Sequence, residues 1–228
     1  YFYPVLEKLI RQFVACADVN PNRVIALGYS HGGYGAFALG PKLPHRFAAV
    51  HASASAPTDG QCSPVGLHSL KFSFMVGGRD TAYGRRKRCE AFAAKLEALK
   101  AAHPGRYPTE FVLVEDKGHG GLPDRDLLAK LVPSQRVDMP RSLRWQLTDG
   151  TVTTHYWLHV AQPKSGVTLT AELKSHPTNG TTWKLGGDEG VTAEAWLDAR
   201  GIDMARPLRI APATGEKKRR AEPAPSLR

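Results

Sequence analysis

The sequence predicts an α/β protein: a parallel sheet with helices on both faces over residues 1–132, followed by a small antiparallel β domain over residues 142–211. Three observations carry that expectation. Short apolar runs alternate with helix-period segments as far as Leu131, the pattern of strands buried on both faces. The run Val24-Ile25-Ala26-Leu27-Gly28-Tyr29-Ser30-His31-Gly32-Gly33-Tyr34-Gly35 reads as a buried strand, a sharp turn and a helix. Beyond Val132 the texture changes: Pro133 and Pro140 mark a linker over residues 133–141, and short alternating segments follow.

Taken in order, Leu6, Leu9, Ile10, Phe13 and Val14 fall at helical spacing from Pro4 to Ala17, with proline suited to the first turn. Asp18-Val19-Asn20-Pro21-Asn22 breaks that helix, and Arg23 to Leu27 forms the strand entering the turn. The helix after Ser30 is expected to stop near Leu39, at Gly40-Pro41. Phe47 to Ala52 and Lys71 to Val76 read as strands joined by a Gly-, Ser- and Pro-rich loop. A helix from Tyr83 to Ala102, a strand from Glu110 to Glu115 and a short helix on Leu127, Leu128 and Leu131 complete the first part.

In the second part the segments 143–147, 152–158, 167–173, 183–185, 193–197 and 208–210 read as short strands, with Asp149-Gly150 and Asn179-Gly180 as hairpin-type turns. From Ala211 onward proline, alanine and charge dominate, so residues 212–228 are expected to be a disordered tail.

The chain has 228 residues and a formal net charge of +10, which invites a nucleic-acid partner. The basic residues are scattered, however, apart from Arg85-Arg86-Lys87-Arg88 and Lys217-Lys218-Arg219-Arg220. No nucleic-acid-binding motif accompanies them, so a solvated face and a solvated tail explain them better. Cys16, Cys62 and Cys89 lack Cys-x-x-Cys spacing, which argues against a zinc site and a disulfide scaffold; no metal or cofactor is expected. No run approaches transmembrane length.

Three polar residues fall beyond the carboxyl ends of strands, the rim where ligand chemistry gathers in open parallel sheets. Ser30 sits at the turn of Gly-Tyr-Ser-His-Gly, with Gly28 and Gly32 expected to be required because side chains two before and two after would collide with strand and helix. Asp80 ends Gly77-Gly78-Arg79-Asp80, and His119 lies in Gly118-His119-Gly120. A serine nucleophile needs a base to take its proton and an acid to orient that base, so the three form a candidate triad with Asp116 and Asp59 as reserve carboxylates. The backbone N–H of His31, at the helix start, is aimed where an oxyanion would form. Tyr29, Tyr34 and His51 are candidates to line an acyl pocket.

The order Ser30, Asp80, His119, in those three motifs, resembles the α/β-hydrolase superfamily over about Pro4 to Leu131. Asn20-Pro21-Asn22-Arg23-Val24 and Gly-Tyr-Ser-His-Gly-Gly-Tyr-Gly-Ala-Phe are most similar to its bacterial esterase branch of polyhydroxybutyrate-depolymerase-like and dienelactone-hydrolase-like enzymes, near the prolyl-oligopeptidase catalytic domain. The resemblance implies hydrolysis of a small-molecule or polymeric ester through an acyl-enzyme, with a prolyl-oligopeptidase-like peptidase as the alternative. It also implies a second oxyanion donor upstream of Tyr1. The chain would then be the C-terminal half of a longer sheet, hydrolysing model esters poorly and exposing an apolar edge at the first strand. A third possibility is a catalytic remnant whose β domain binds a partner through Trp145, Tyr156, Trp157, Trp183 and Trp196.

Overall fold

Helix α1 (Tyr3–Cys16) opens the fold, with Pro4 in its first turn. The computed structural model describes residues 2–211, so the tail expected over 212–228 lies outside the described residues. Strand β1 (Ile25–Tyr29) leads through Ser30 into helix α2 (His31–Lys42). Strands β2 (Ala49–Ser53) and β3 (Lys71–Gly77), helix α3 (Arg85–Ala102), strand β4 (Thr109–Val114) and the single-turn helix α4 (Leu128–Leu131) follow. The four strands form one sheet in the order β1-β2-β3-β4, parallel throughout.

The register divides the sheet into two faces. Ala26, Val50, Phe72, Phe74, Phe111 and Leu113 join the main core with Tyr3 and Leu6 of α1, Phe37 of α2 and Phe92 and Leu96 of α3. On the opposite face Ile25, Ala49, Ala54, Met75, Val112 and Val114 pack, among the described residues, with Leu122, Leu127 and Leu131 around α4. That cover reaches only Ile25 at the start of β1, an edge strand whose Leu27 is 52% exposed.

Pro41 does not end α2, which continues to Lys42. Proline at this point costs one intrahelical hydrogen bond. Packing overrides that local preference: Gly40 lies so close to the Phe72 ring that a Cβ would come within 2.8 Å of it, and Pro41 is buried.

The second part holds β5 (Ser142–Gln146), β6 (Thr154–His155), β7 (Leu158–His159), β8 (Thr168–His176), β9 (Gly180–Gly187), β10 (Glu194–Ala195) and β11 (Leu208–Ala211). They make a four-stranded sheet, β11-β9-β8-β5, and a three-stranded one, β10-β7-β6. Pairing is antiparallel except that β11 runs parallel to β9, a departure from the all-antiparallel expectation. Asn179-Gly180 closes the β8–β9 hairpin, with His176 opposite Gly180. Asp149-Gly150 closes none, because β5 pairs with β8 instead; the Asp149 carboxylate caps the N–H groups of Thr151 and Val152. Trp145 and Trp157 are core, whereas Trp196 is exposed and stacks on His159.

Polar contacts join the two parts. Lys42 pairs with Asp149, the Ser63 hydroxyl donates to Gln146 Oε1 at 2.5 Å, and Arg136 donates to Asn22 Oδ1 and the His45 carbonyl. The segment expected as a linker is thereby tied to the first part.

Burial holds the His45, His68 and His155 imidazoles below their ordinary range, His68 at about 4 with help from Arg106, His103 and Arg144. The unfolded chain then binds protons that the folded chain excludes, from about pH 6.5, the free imidazole value, down to about 4 for His68. Stability is full above that window and is lost as pH falls through it. Urea midpoints at pH 7.5 and pH 5 are expected to differ, the lower at pH 5; equal midpoints would contradict the assignment.

Candidate active site

All four parallel strands end at one rim, and the loops there carry Ser30, Asp80 and His119. Ser30 has φ 53° and ψ −116°, a backbone conformation that costs a non-glycine residue about 1–3 kcal/mol. Neighbouring hydrogen bonds hold it there: its N–H donates to the Ser53 carbonyl at 3.0 Å, and its own carbonyl accepts from Tyr34 N–H at 3.1 Å.

The glycine requirement differs from the expected one. A Cβ on Gly28 would lie 2.0 Å from the Gly32 carbonyl oxygen, so Gly28 is obligatory. Gly32 faces open space and could carry a side chain. The second obligatory position is Gly33, whose Cβ would meet the Ser55 hydroxyl at 2.2 Å and the Ser53 carbonyl at 2.6 Å. The collision falls one residue later because α2 begins at His31 and turns position 32 outward.

Asp80 and His119 are brought together by two loops that nearly touch. A Cβ on Gly77 would lie 2.1 Å from the Gly118 carbonyl oxygen, and one on Gly78 2.7 Å from the Glu115 backbone. Arg79 N–H then donates to the Lys117 carbonyl at 2.9 Å, and the Tyr29 hydroxyl donates to the His119 carbonyl. Gly77-Gly78 therefore sets the approach of the histidine loop, a role the sequence displayed only as a strand terminator.

The resulting hydrogen-bond chain is continuous. His119 Nδ1 lies 2.8 Å from Asp80 Oδ2, and His119 Nε2 lies 3.0 Å from Ser30 Oγ. An ionised carboxylate only accepts, so Nδ1 carries the proton and Nε2 presents its lone pair to the serine hydroxyl. Asp80 is buried, whereas the His119 side chain is 44% exposed and open to a ligand. The reserve carboxylates lie elsewhere: Asp116 is exposed and paired with Lys117 at 3.2 Å, and Asp59 is exposed in a turn.

Arg85, the first residue of α3, was not singled out from sequence beyond its place in a basic run. Its guanidinium donates to Asp80 Oδ1 at 2.8 Å, leaving Oδ2 for His119, and donates through Nε to the Tyr34 hydroxyl at 3.2 Å. The buried carboxylate is thus gripped from both sides. With His119 as the candidate base, Arg85→Met is expected to lower kcat for an ester about 10- to 100-fold with KM little changed, since small misplacements of a base are costly. Arg85→Lys should restore part of the loss. Equal activity in all three would remove Arg85 from the site.

The other candidates divide. Tyr29 and Tyr34 lie beside the chain, Tyr29 with its ring edge-on to His119 at 6.0 Å and Tyr34 through Arg85. His51 does not reach the mouth. It is buried within β2, with ring nitrogens 2.7 Å from Ser73 Oγ and 2.8 Å from Ser53 Oγ, and burial lowers its pKa. Strand alternation sends position 51 to the sheet face rather than to the rim. His31 Nα opens the first turn of α2, where N–H groups have no intrahelical acceptor.

No family model matches the chain, and no curated protein matches it. Solved structures do. A thermostable esterase is similar at a TM-score of 0.43 with 16% sequence identity, covering 54% of this chain and 30% of its own. Esterase PE8 is similar at 0.44 with 18% identity, covering 56% of this chain and 59% of its own. The chain thus spans less than two thirds of either.

Proposed function

We propose that this chain carries the catalytic residues of a serine hydrolase that cleaves carboxylic esters through an acyl-enzyme, on an α/β-hydrolase framework of the bacterial esterase kind. One observation carries the reading: the unbroken chain from Ser30 Oγ through His119 to the buried Asp80, 3.0 Å and 2.8 Å long. In the proposed reaction Oγ attacks the acyl carbonyl as His119 Nε2 takes its proton. The imidazolium formed is stabilised by Asp80 and gives that proton to the departing alcohol oxygen. Water then attacks the Ser30 ester with His119 again as base, releasing the acid. The His31 N–H, at the positive end of α2, stabilises the negative carbonyl oxygen in both steps.

A fluorophosphonate probe tests the reading directly. Labelling is expected in the parent chain and in Ser63→Ala, a buried serine away from the rim, and is expected to vanish in Ser30→Ala. Parallel assays with short acyl esters and peptide anilides should favour the esters; faster anilide turnover would move the chain to the peptidases. A folded parent that resists the probe would overturn the assignment.

A further inference from the structure

The sheet of the second part has a polar face, part of which lines a cleft shared with the first part. Register aligns Ser142, Glu172 and Lys184 in one row across β5, β8 and β9, and Arg144, Thr170 and Gly186 in the next. The alternate residues Leu143, Trp145, Leu169 and Leu173 fill the core on the other side. Opposite the polar rows lie His68, before β3, and His103 and Arg106, beyond the end of α3. Between the two is a cleft of about 470 Å³. It lies by the amino ends of β3 and β4, away from Ser30.

Charge in this cleft is unbalanced. Among the described residues Arg106, Arg144 and Lys184 have no ion pair, and Arg144 Nε is buried without an acceptor. The carboxylate lining the cleft, Glu172, is 3.3 Å from Lys174. Arg106 and Lys184 are exposed at the mouth of the cleft and Arg144 is half-buried, and beside Glu172 the carboxyl end of α3 adds only about half a negative charge to the three cations that line it. The neighbouring His68 and His103 have lowered pKa values, burial being the first cause in each and Arg144 contributing to both. They can therefore donate one ring N–H each without adding charge. The hydroxyls of Ser142 and Thr170 supply further donors, and Gly186 leaves the floor open beside Thr170.

We propose that this cleft binds the phosphate group of a small soluble molecule, with Arg144 and Lys184 from the β sheet and Arg106 from the first part as its cationic ligands. A tetrahedral oxyanion fits because the donors come from two opposed surfaces, and because guanidinium groups and hydroxyls can share its several oxygens. Occupancy links the two parts of the chain across the cleft and stabilises their contact. The inference is independent of the hydrolase reading, since none of these residues touches the Ser30 rim.

Isothermal titration at fixed ionic strength, with inorganic phosphate and with glycerol 3-phosphate as probes, tests it. Saturable one-to-one binding is expected, weakened at least about tenfold by Arg144→Gln or Lys184→Gln and unchanged by Arg11→Gln on α1. Tighter glycerol 3-phosphate binding supports an organic phosphate as the ligand; tighter binding of the bare ion overturns that part of the proposal. If Arg144→Gln fails to fold, Lys184→Gln and phosphate-induced shifts of the His68 and His103 ring signals in NMR decide. Absence of saturation up to about 20 mM, a range corresponding to only a few kcal/mol of binding, overturns the site. So does binding that survives both cleft substitutions, or that disappears when Lys217, Lys218, Arg219 and Arg220 are replaced by glutamine.

Discussion

Replacing Ser30 with alanine is expected to abolish the slow ester turnover of this chain, toward the drop of about 10³- to 10⁶-fold seen when a triad nucleophile is removed. In the proposed reaction the hydroxyl is the atom that becomes acylated, and no other serine lies within hydrogen-bond reach of His119 among the described residues. His119→Ala should cost about as much, and the double variant little more than either, because the pair acts as one unit. The fold should survive: among the described residues Ser30 Oγ bonds only the exposed imidazole, and the backbone bonds to Ser53 and Tyr34 remain. Turnover of p-nitrophenyl acetate and the urea midpoint, measured on the same samples, separate lost chemistry from lost structure. A folded Ser30→Ala protein that still turns over the ester at the parent rate would sink the mechanism.

The largest stability effect is expected at Asp149. Its carboxylate pairs with the Lys42 ammonium, with side-chain exposures of 10% and 4%, and also accepts the N–H groups of Thr151 and Val152. Burial works to raise the Asp149 pKa, but those donors outweigh it and hold the group below its ordinary value. Asp149→Ala leaves an ammonium buried beside the Tyr3 ring with no counter-charge, and should destabilise the chain by about 3–5 kcal/mol in urea unfolding. The paired change Lys42→Met with Asp149→Leu removes both charges and should recover part of the loss, because desolvation of the ions disappears with their attraction while the Thr151 and Val152 N–H groups stay uncapped. Asp149→Ala costing less than about 1 kcal/mol would mean that the pair is solvated.

Both effects turn on residues whose legibility in the sequence differed. Ser30 was visible because a serine at a strand-to-helix junction needs a particular local string, and Gly28 belongs to it. Gly32 was read from the same symmetry and carries no steric demand, since the helix turn aims position 32 at solvent while position 33 meets Ser53 and Ser55. Asp80 and His119 were visible through order and placement beyond strands. Arg85 was hidden in a basic run, and nothing local distinguishes an arginine that grips a buried carboxylate from its solvated neighbours. The Lys42–Asp149 pair was equally silent. Asp149 looked like half of a hairpin turn, and its partner lies 107 residues away.

What the amino-acid sequence by itself determined is the periodic and local content: parallel strands alternating with helices, the turn at Ser30, and a change to short strands after Val132. These follow from side-chain alternation and backbone constraints acting over a few residues. Only the tertiary structure decided that α2 runs through Pro41, that β11 lies parallel to β9, and that His51 is enclosed by two serines. It alone also brought a polar sheet face against His68 and Arg106. Each of these depends on contacts between residues distant in the chain, where burial and close packing outweigh the local preference.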